Sequence, residues 1–135
     1  MYRVTRELTF CYGHRLLQYE GKCRHLHGHN GRVAITLAAD RLDALGMVLD
    51  FSLLKRVVGG WIDAQFDHKM LLHRDDPVLP FLRQQGEPVF VLDVNPTAEN
   101  IARLIYEFAA AQGFPVVEVQ VRETDTCFAS YSGPS

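Results

Sequence analysis

Cysteine is scarce, net charge is close to zero and no long apolar run is present, and each of these absences removes a class of protein. Cys11, Cys23 and Cys127 form an odd, widely spaced set, unlike the dense even count of a disulfide scaffold, and point to a reducing compartment. No apolar stretch approaches the roughly 18 residues of a membrane span. The opening Met1-Tyr2-Arg3-Val4-Thr5-Arg6 has no apolar signal core, so a cytoplasmic location without a membrane partner is expected. Fourteen basic against sixteen acidic side chains leave a formal charge of -2, too little charge of one sign to grip nucleic acid or anionic lipid. Solenoid repeats and low-complexity tracts are missing as well. What remains is small-molecule chemistry in 135 residues, 47% of them hydrophobic, enough for one core and too few for two. One domain over residues 1–135 is expected.

Residues 2 to 10 place Tyr2, Val4, Leu8 and Phe10 on one side and Arg3, Thr5, Glu7 and Thr9 on the other, with Arg6 interrupting the apolar face. This is the two-residue period of a half-buried strand. Val33, Ile35, Leu37 and Ala39 repeat it after a polar, histidine-rich connection from about residue 11 to 30. From Asp50 or Ser52 onward, Leu53, Leu54, Val57, Val58, Trp61 and Ile62 recur at helical spacing, and Gly59 and Gly60 weaken that helix by about 1 kcal/mol each relative to alanine. A second helix follows Pro96, with Thr97 as N-cap, Ile101, Leu104, Ile105 and Phe108 as its buried stripe and Gly113 at its end. Val117, Val119 and Val121 alternate again, and Cys127 to Tyr131 can form a last short strand. Grouped strands and helices of this kind predict an α+β fold, an antiparallel sheet with helices on one face.

His27-Gly28-His29 is the most informative tripeptide, because side chains two apart on extended backbone point the same way and can share an ion. His14 follows the first strand and precedes the turn back toward this pair, so hairpin pairing would bring all three together. Three imidazoles leave one tetrahedral position of a zinc ion open, as in catalytic sites. Cys23 complicates the count. As a fourth ligand it would close the shell and make the site structural, and spacing alone leaves both arrangements open. Other titratable residues have ordinary readings: Cys11 and Cys127 as small core side chains, His73 as a loop residue, Asp67-His68 as a surface pair, Glu99 as a partner of its helix dipole and Glu123 as a solvent-facing strand end.

Taken in order, several segments resemble one family. Phe10-Cys11-Tyr12-Gly13-His14-Arg15-Leu16 and Cys23-Arg24-His25-Leu26-His27-Gly28-His29-Asn30 look like the zinc and cysteine region of the 6-pyruvoyl- and 6-carboxy-tetrahydropterin synthases. Gly46-Met47-Val48-Leu49-Asp50-Phe51, Phe66-Asp67-His68-Lys69, Pro96-Thr97-Ala98-Glu99-Asn100 and Val121-Arg122-Glu123-Thr124 resemble later segments of the same family, in register. Cys11-Tyr12-Gly13 departs from it, standing where the family usually carries small residues before its first zinc histidine.

The resemblance implies the tunnelling fold, or T-fold: a four-stranded antiparallel sheet with two helices on one side, assembled into barrels, usually hexamers made of two trimers with active sites between subunits. It implies Zn2+ on His14, His27 and His29. It further implies a substrate, 7,8-dihydroneopterin triphosphate, with Cys23 as thiolate base, Asp67 and His68 as the other catalytic members, and Thr97, Glu99 and Glu123 on the pterin. A carboxylate at Glu123 can accept two hydrogen bonds from the amidine-like edge of that ring. Arg15, Lys22, Arg24 and Lys69 are candidates for the triphosphate by charge and neighbourhood alone. Cys23 lies four residues before His27, the short spacing typical of bacterial carboxy-forming members. The implied products are therefore 6-carboxy-5,6,7,8-tetrahydropterin, acetaldehyde and triphosphate, with 6-pyruvoyl-tetrahydropterin as the alternative and a non-enzymatic zinc-stabilised binding module as the reading from another class.

Overall fold

The computed structural model describes residues 1–135. Two thirteen-residue strands dominate it, β1 (Tyr2–His14) and β2 (His27–Ala39). They pair antiparallel from Tyr2 opposite Ala39 to His14 opposite His27. Both run further than apolar alternation indicates, because the same two-residue period continues through polar side chains: Phe10, Tyr12 and His14 on β1 are all buried. Arg6 does not interrupt β1; it lies half-buried opposite Ile35.

The helical stripe after residue 50 is carried by α1 (Phe51–Leu54), a π turn (Lys55–Gly59) and α2 (Gly60–Gln65). Asp50 caps it by accepting from the Ser52 N–H at 2.8 Å. Leu54, Val58, Ile62 and Phe66 are all buried and stand four apart. In an α-helix that spacing drifts by about 40° per step; the wider turn brings the side chains back into line against the sheet. Short elements follow: β3 (Lys69–His73), α3 (Leu79–Gln84) and β4 (Val89–Leu92). The last long helix is α4 (Ala98–Ala111), succeeded by β5 (Val116–Arg122) and β6 (Phe128–Tyr131). Thr97 caps α4 by accepting from the Asn100 N–H at 3.1 Å, and Gly113 leaves it at φ 90°, the left-handed conformation that glycine tolerates.

The six strands form one sheet in the order β4-β3-β1-β2-β5-β6. The four strands expected from the sequence are antiparallel throughout, but β3 pairs parallel to β1 and β4 parallel to β3. The four-stranded antiparallel sheet is therefore extended to six mixed strands. Met70-Leu71-Leu72 and Val89-Phe90-Val91-Leu92 are continuous apolar runs, half-buried to buried along their length, of the kind common in parallel strands, and carry no alternation to read. Against one face of the sheet, Trp61 of α2 stacks on Phe108 of α4 with centroids 4.5 Å apart.

Arg15 and Asp76 lock the end of β1 to the loop after β3. The guanidinium donates to both carboxylate oxygens, from Nε to Oδ2 at 2.8 Å, and Asp76, only 2% exposed, also accepts from the Val78 N–H. Burial pushes the Asp76 carboxyl up, yet Arg15 and the Val78 N–H together hold it below the usual range. Arg15 is thus committed to the fold, whereas Lys69 donates from Nζ to the Ala64 carbonyl and also lines a groove. Asp76→Ala leaves a part-buried guanidinium unpaired and is expected to cost about 3 kcal/mol in urea unfolding.

Candidate metal centre

At the end of the β1–β2 ladder, side chains that alternate onto the core face change from apolar to imidazole. His14 and His27 are register partners, and His29 lies opposite Tyr12. One ligand atom from each of the three histidines falls within 4.8 Å of the others. His14 Nε2 and His29 Nε2 are 3.1 Å apart. Two nitrogens bound to one zinc at about 2.0–2.1 Å lie roughly 3.3 Å from each other in tetrahedral geometry, so these rings are already at ligand spacing.

Backbone carbonyls fix two of the rings. His14 Nδ1 donates to Pro96 O at 2.6 Å, and His27 Nδ1 donates to His25 O at 2.7 Å. A neutral imidazole whose Nδ1 carries the proton presents a lone pair at Nε2, the usual outer-shell support of a ligating histidine. Pro96 is itself held by its surroundings: Asn95 accepts from Leu17 N–H at 2.9 Å and donates to Leu17 O at 3.1 Å, while Asn100 donates to Asn95 O. Burial holds His14 and His29 below the ordinary imidazole value, against the opposing pull of the Pro96 carbonyl and then Glu123 on His14 and of Glu123 on His29. Neutral rings, converging lone pairs and a carboxylate alongside suit a divalent cation.

Glu123 stands at the end of β5 on this same face. Its Oε1 is 3.7 Å from His14 Nε2 and its Oε2 3.8 Å from His29 Nε2. The Tyr12 hydroxyl donates to Oε1 at 2.7 Å, and burial, then the Glu123 charge, push the Tyr12 phenol far up. Glu123 is therefore half-buried beside the histidines rather than a solvated strand end.

A groove of about 910 Å3 opens beside the cluster, with His27, His29, His68, Met70 and Phe81 among its walls. Asp67 and His68, neighbours in sequence, do face each other: Oδ2 accepts from Nδ1 at 2.8 Å. Asp67 Oδ1 accepts from the Cys11 N–H at 2.9 Å; that bond first, then His68, holds its carboxyl below the usual range. His68 reaches this place with φ 59°, a left-handed conformation uncommon outside glycine and concentrated at functional sites. Its own N–H donates to Cys11 O at 2.6 Å.

Cys23 lies in a 3-10 turn, Lys22–Arg24, whose carbonyl at Cys23 accepts from Leu16 N–H at 2.9 Å. It stands outside the three-histidine group, is a half-buried free thiol and makes no hydrogen bond with Asp67 or His68, which bond to each other and to Cys11. Thr97 caps α4, and Glu99 is exposed on the first turn of that helix; neither is among the groove walls. Cys11 and Cys127 are exposed, not core residues. Cys11 alternates onto the outer face of β1, where its thiol donates to Asn30 Oδ1 at 3.1 Å, and Cys127 precedes β6 in a turn.

Comparison with known proteins decides the lineage. A family profile described as 6-pyruvoyl tetrahydropterin synthase matches residues 3–134. The chain belongs to the 6-pyruvoyl tetrahydropterin synthase family. Within that family it is 39% identical over 135 residues to the 6-carboxy-5,6,7,8-tetrahydropterin synthase of Rickettsia typhi, covering 95% of this chain and 98% of that one. It is 28% identical over 139 residues to the protein of the same name from Haemophilus influenzae, covering 97% and 99%. Among solved structures, an uncharacterized protein from Wolinella succinogenes superposes with a TM-score of 0.81 at 28% identity, over 98% of each chain. The 6-pyruvoyl tetrahydropterin synthase of Caenorhabditis elegans superposes at 0.74 and 23% identity, over 98% of this chain and 96% of that one, a likeness of fold. No helix is long and apolar enough to cross a membrane. Of the residues facing the centre, Tyr12 and the Pro96 carbonyl lie inside segments that stand out in the sequence, which assigns them no role; extending the β1 alternation through His14 is the sequence signal that places Tyr12 on the core face.

Proposed function

We propose that this chain is a zinc-dependent lyase that converts 7,8-dihydroneopterin triphosphate to 6-carboxy-5,6,7,8-tetrahydropterin, releasing acetaldehyde and triphosphate, a step toward queuosine and related deazapurines. The observation that carries the reading is the convergence of His14, His27 and His29 beside Glu123, with His27 and His29 also walls of the groove, in a chain whose relatives from Rickettsia and Haemophilus bear the carboxy-forming name.

His14, His27 and His29 would hold the ion, with the Pro96 and His25 carbonyls keeping two of the rings in the ligating tautomer. When bound, zinc supplies Lewis acidity toward a side-chain oxygen of the substrate and so acidifies the adjacent C–H. Glu123 offers two acceptor oxygens to the N–H edge of the pterin, and Thr97 and Glu99 belong to the same proposed pocket. Cys23 serves as the base. Asp67 holds His68 through Nδ1, which leaves Nε2 free to give or take a proton. That Cys23 is not hydrogen-bonded to this pair inside one chain accords with a site completed between subunits of a homo-oligomer, a hexamer built from two trimers. The open edges of β4 and β6 also favour association. Residues 1–135 act in this reading as a single T-fold domain in the cytoplasm.

Incubation with dihydroneopterin triphosphate, trapping of volatile aldehyde and mass analysis of the pterin test the reaction. One acetaldehyde and one 6-carboxy product per triphosphate released are expected. A 6-pyruvoyl product without acetaldehyde would overturn the carboxy assignment and leave the zinc lyase standing.

A further inference from the structure

We infer that the Tyr12 hydroxyl tethers the Glu123 carboxylate away from the position between His14, His27 and His29, keeping the fourth coordination site of the metal open and Glu123 free for an amidine-edged ligand. This inference rests on the zinc- and pterin-binding reading above and assigns a positioning role to a residue that reading does not use.

The geometry poses the problem that such a tether solves. Ligand atoms on one tetrahedral zinc, bound at about 2.0–2.2 Å, stand roughly 3.3–3.6 Å apart. Glu123 Oε1 and Oε2 lie 3.7 and 3.8 Å from His14 Nε2 and His29 Nε2, only a few tenths of an ångström beyond that spacing. An unrestrained carboxylate so close to a divalent cation would be drawn in as a fourth ligand. That would close the site and remove the acceptor meant for the ligand's N–H groups.

Tyr12 supplies the restraint. Its hydroxyl donates to Oε1 at 2.7 Å, a charge-assisted bond of the stronger class. The ring is 3% exposed, so the hydroxyl has little access to water as an alternative partner. Phe10 stacks on it with centroids 5.0 Å apart and planes 20° apart, and His14 meets it edge-on at 5.2 Å, which fixes where the hydroxyl points. To reach from β1 to the end of β5 the ring must pass over β2, and it does so at Gly31: a Cβ there would stand 3.0 Å from Tyr12 Cε1 and 3.1 Å from Phe10 Cε1. Tyrosine at 12, glycine at 31 and glutamate at 123 therefore form one steric and hydrogen-bonded unit.

The test compares wild type, Tyr12→Phe, Glu123→Gln and the double variant, using zinc affinity by competition with a chromophoric chelator, the visible absorption of the cobalt-substituted protein, and neopterin binding by fluorescence. Tyr12→Phe is expected to bind zinc at least about fivefold more tightly, to change the cobalt spectrum as a carboxylate enters the shell, and to bind neopterin about tenfold more weakly. The gain in zinc affinity should vanish in the double variant, which lacks the carboxylate. Gly31→Ala, which displaces the ring, should shift zinc affinity in the same direction as Tyr12→Phe and serves should that variant fold poorly. Unchanged or weakened zinc binding in both Tyr12→Phe and Gly31→Ala would overturn the tether, since a merely structural role can only loosen the site. Wild type that binds neither zinc nor neopterin would instead overturn the underlying reading.

Discussion

Cys23→Ala is expected to reduce kcat by about a thousandfold or more while the protein retains its full complement of zinc. The size of the loss follows from the proposed role, since a positioned acid or base contributes typically 10²–10⁴-fold. Retention of zinc follows from geometry: the thiol stands outside the group formed by His14, His27 and His29. The substitution should also leave the fold intact, because it is the main-chain carbonyl at Cys23, not the side chain, that anchors the 3-10 turn to Leu16. Metal analysis and single-turnover kinetics on the same preparation make the measurement. Loss of zinc in this variant would identify Cys23 as a ligand and favour the closed, structural arrangement.

Replacing His27 and His29 together by alanine should have the opposite signature, with both zinc and turnover abolished. The two residues project from one face of β2 onto His14, and a single remaining imidazole cannot retain a divalent ion against a chelator. A loss of metal affinity beyond about a hundredfold is expected, larger than that for removing an outer-shell partner, which costs typically 10–100-fold. Melting temperature separates metal loss from unfolding, because His27 and His29 are only half-buried and the core of Val33, Ile35, Leu71 and Ile101 is untouched. Full zinc occupancy in the double variant would remove the basis for the metal centre. Read together, the two experiments divide the site: histidines hold the metal, and the thiol does chemistry.

The amino-acid sequence by itself determined the elements whose pattern is local. Alternation specified residues 2 to 10 of β1, 33 to 39 of β2 and the valines of β5, with β6 legible only as a short final run; a stripe with Thr97 before it and Gly113 after it specified α4, and His27-Gly28-His29 with His14 specified the candidate ligands. Each of these depends on a period of two or 3.6 residues, or on a short motif, so neighbours in the chain carry the signal. The remainder was decided by tertiary structure, because its partners are far apart in the chain. Tyr12 and Glu123 are separated by 111 residues, His14 and Pro96 by 82, and Arg15 and Asp76 by 61. No local period marks such pairs; they exist because sheet register and loop closure bring them together. The same reason explains β3 and β4, whose short, continuously apolar runs take their direction from the parallel neighbours they pack beside. It also explains why Arg15, a free cation on charge alone, is spent on Asp76: a buried carboxylate needs a partner, and only the folded chain supplies one.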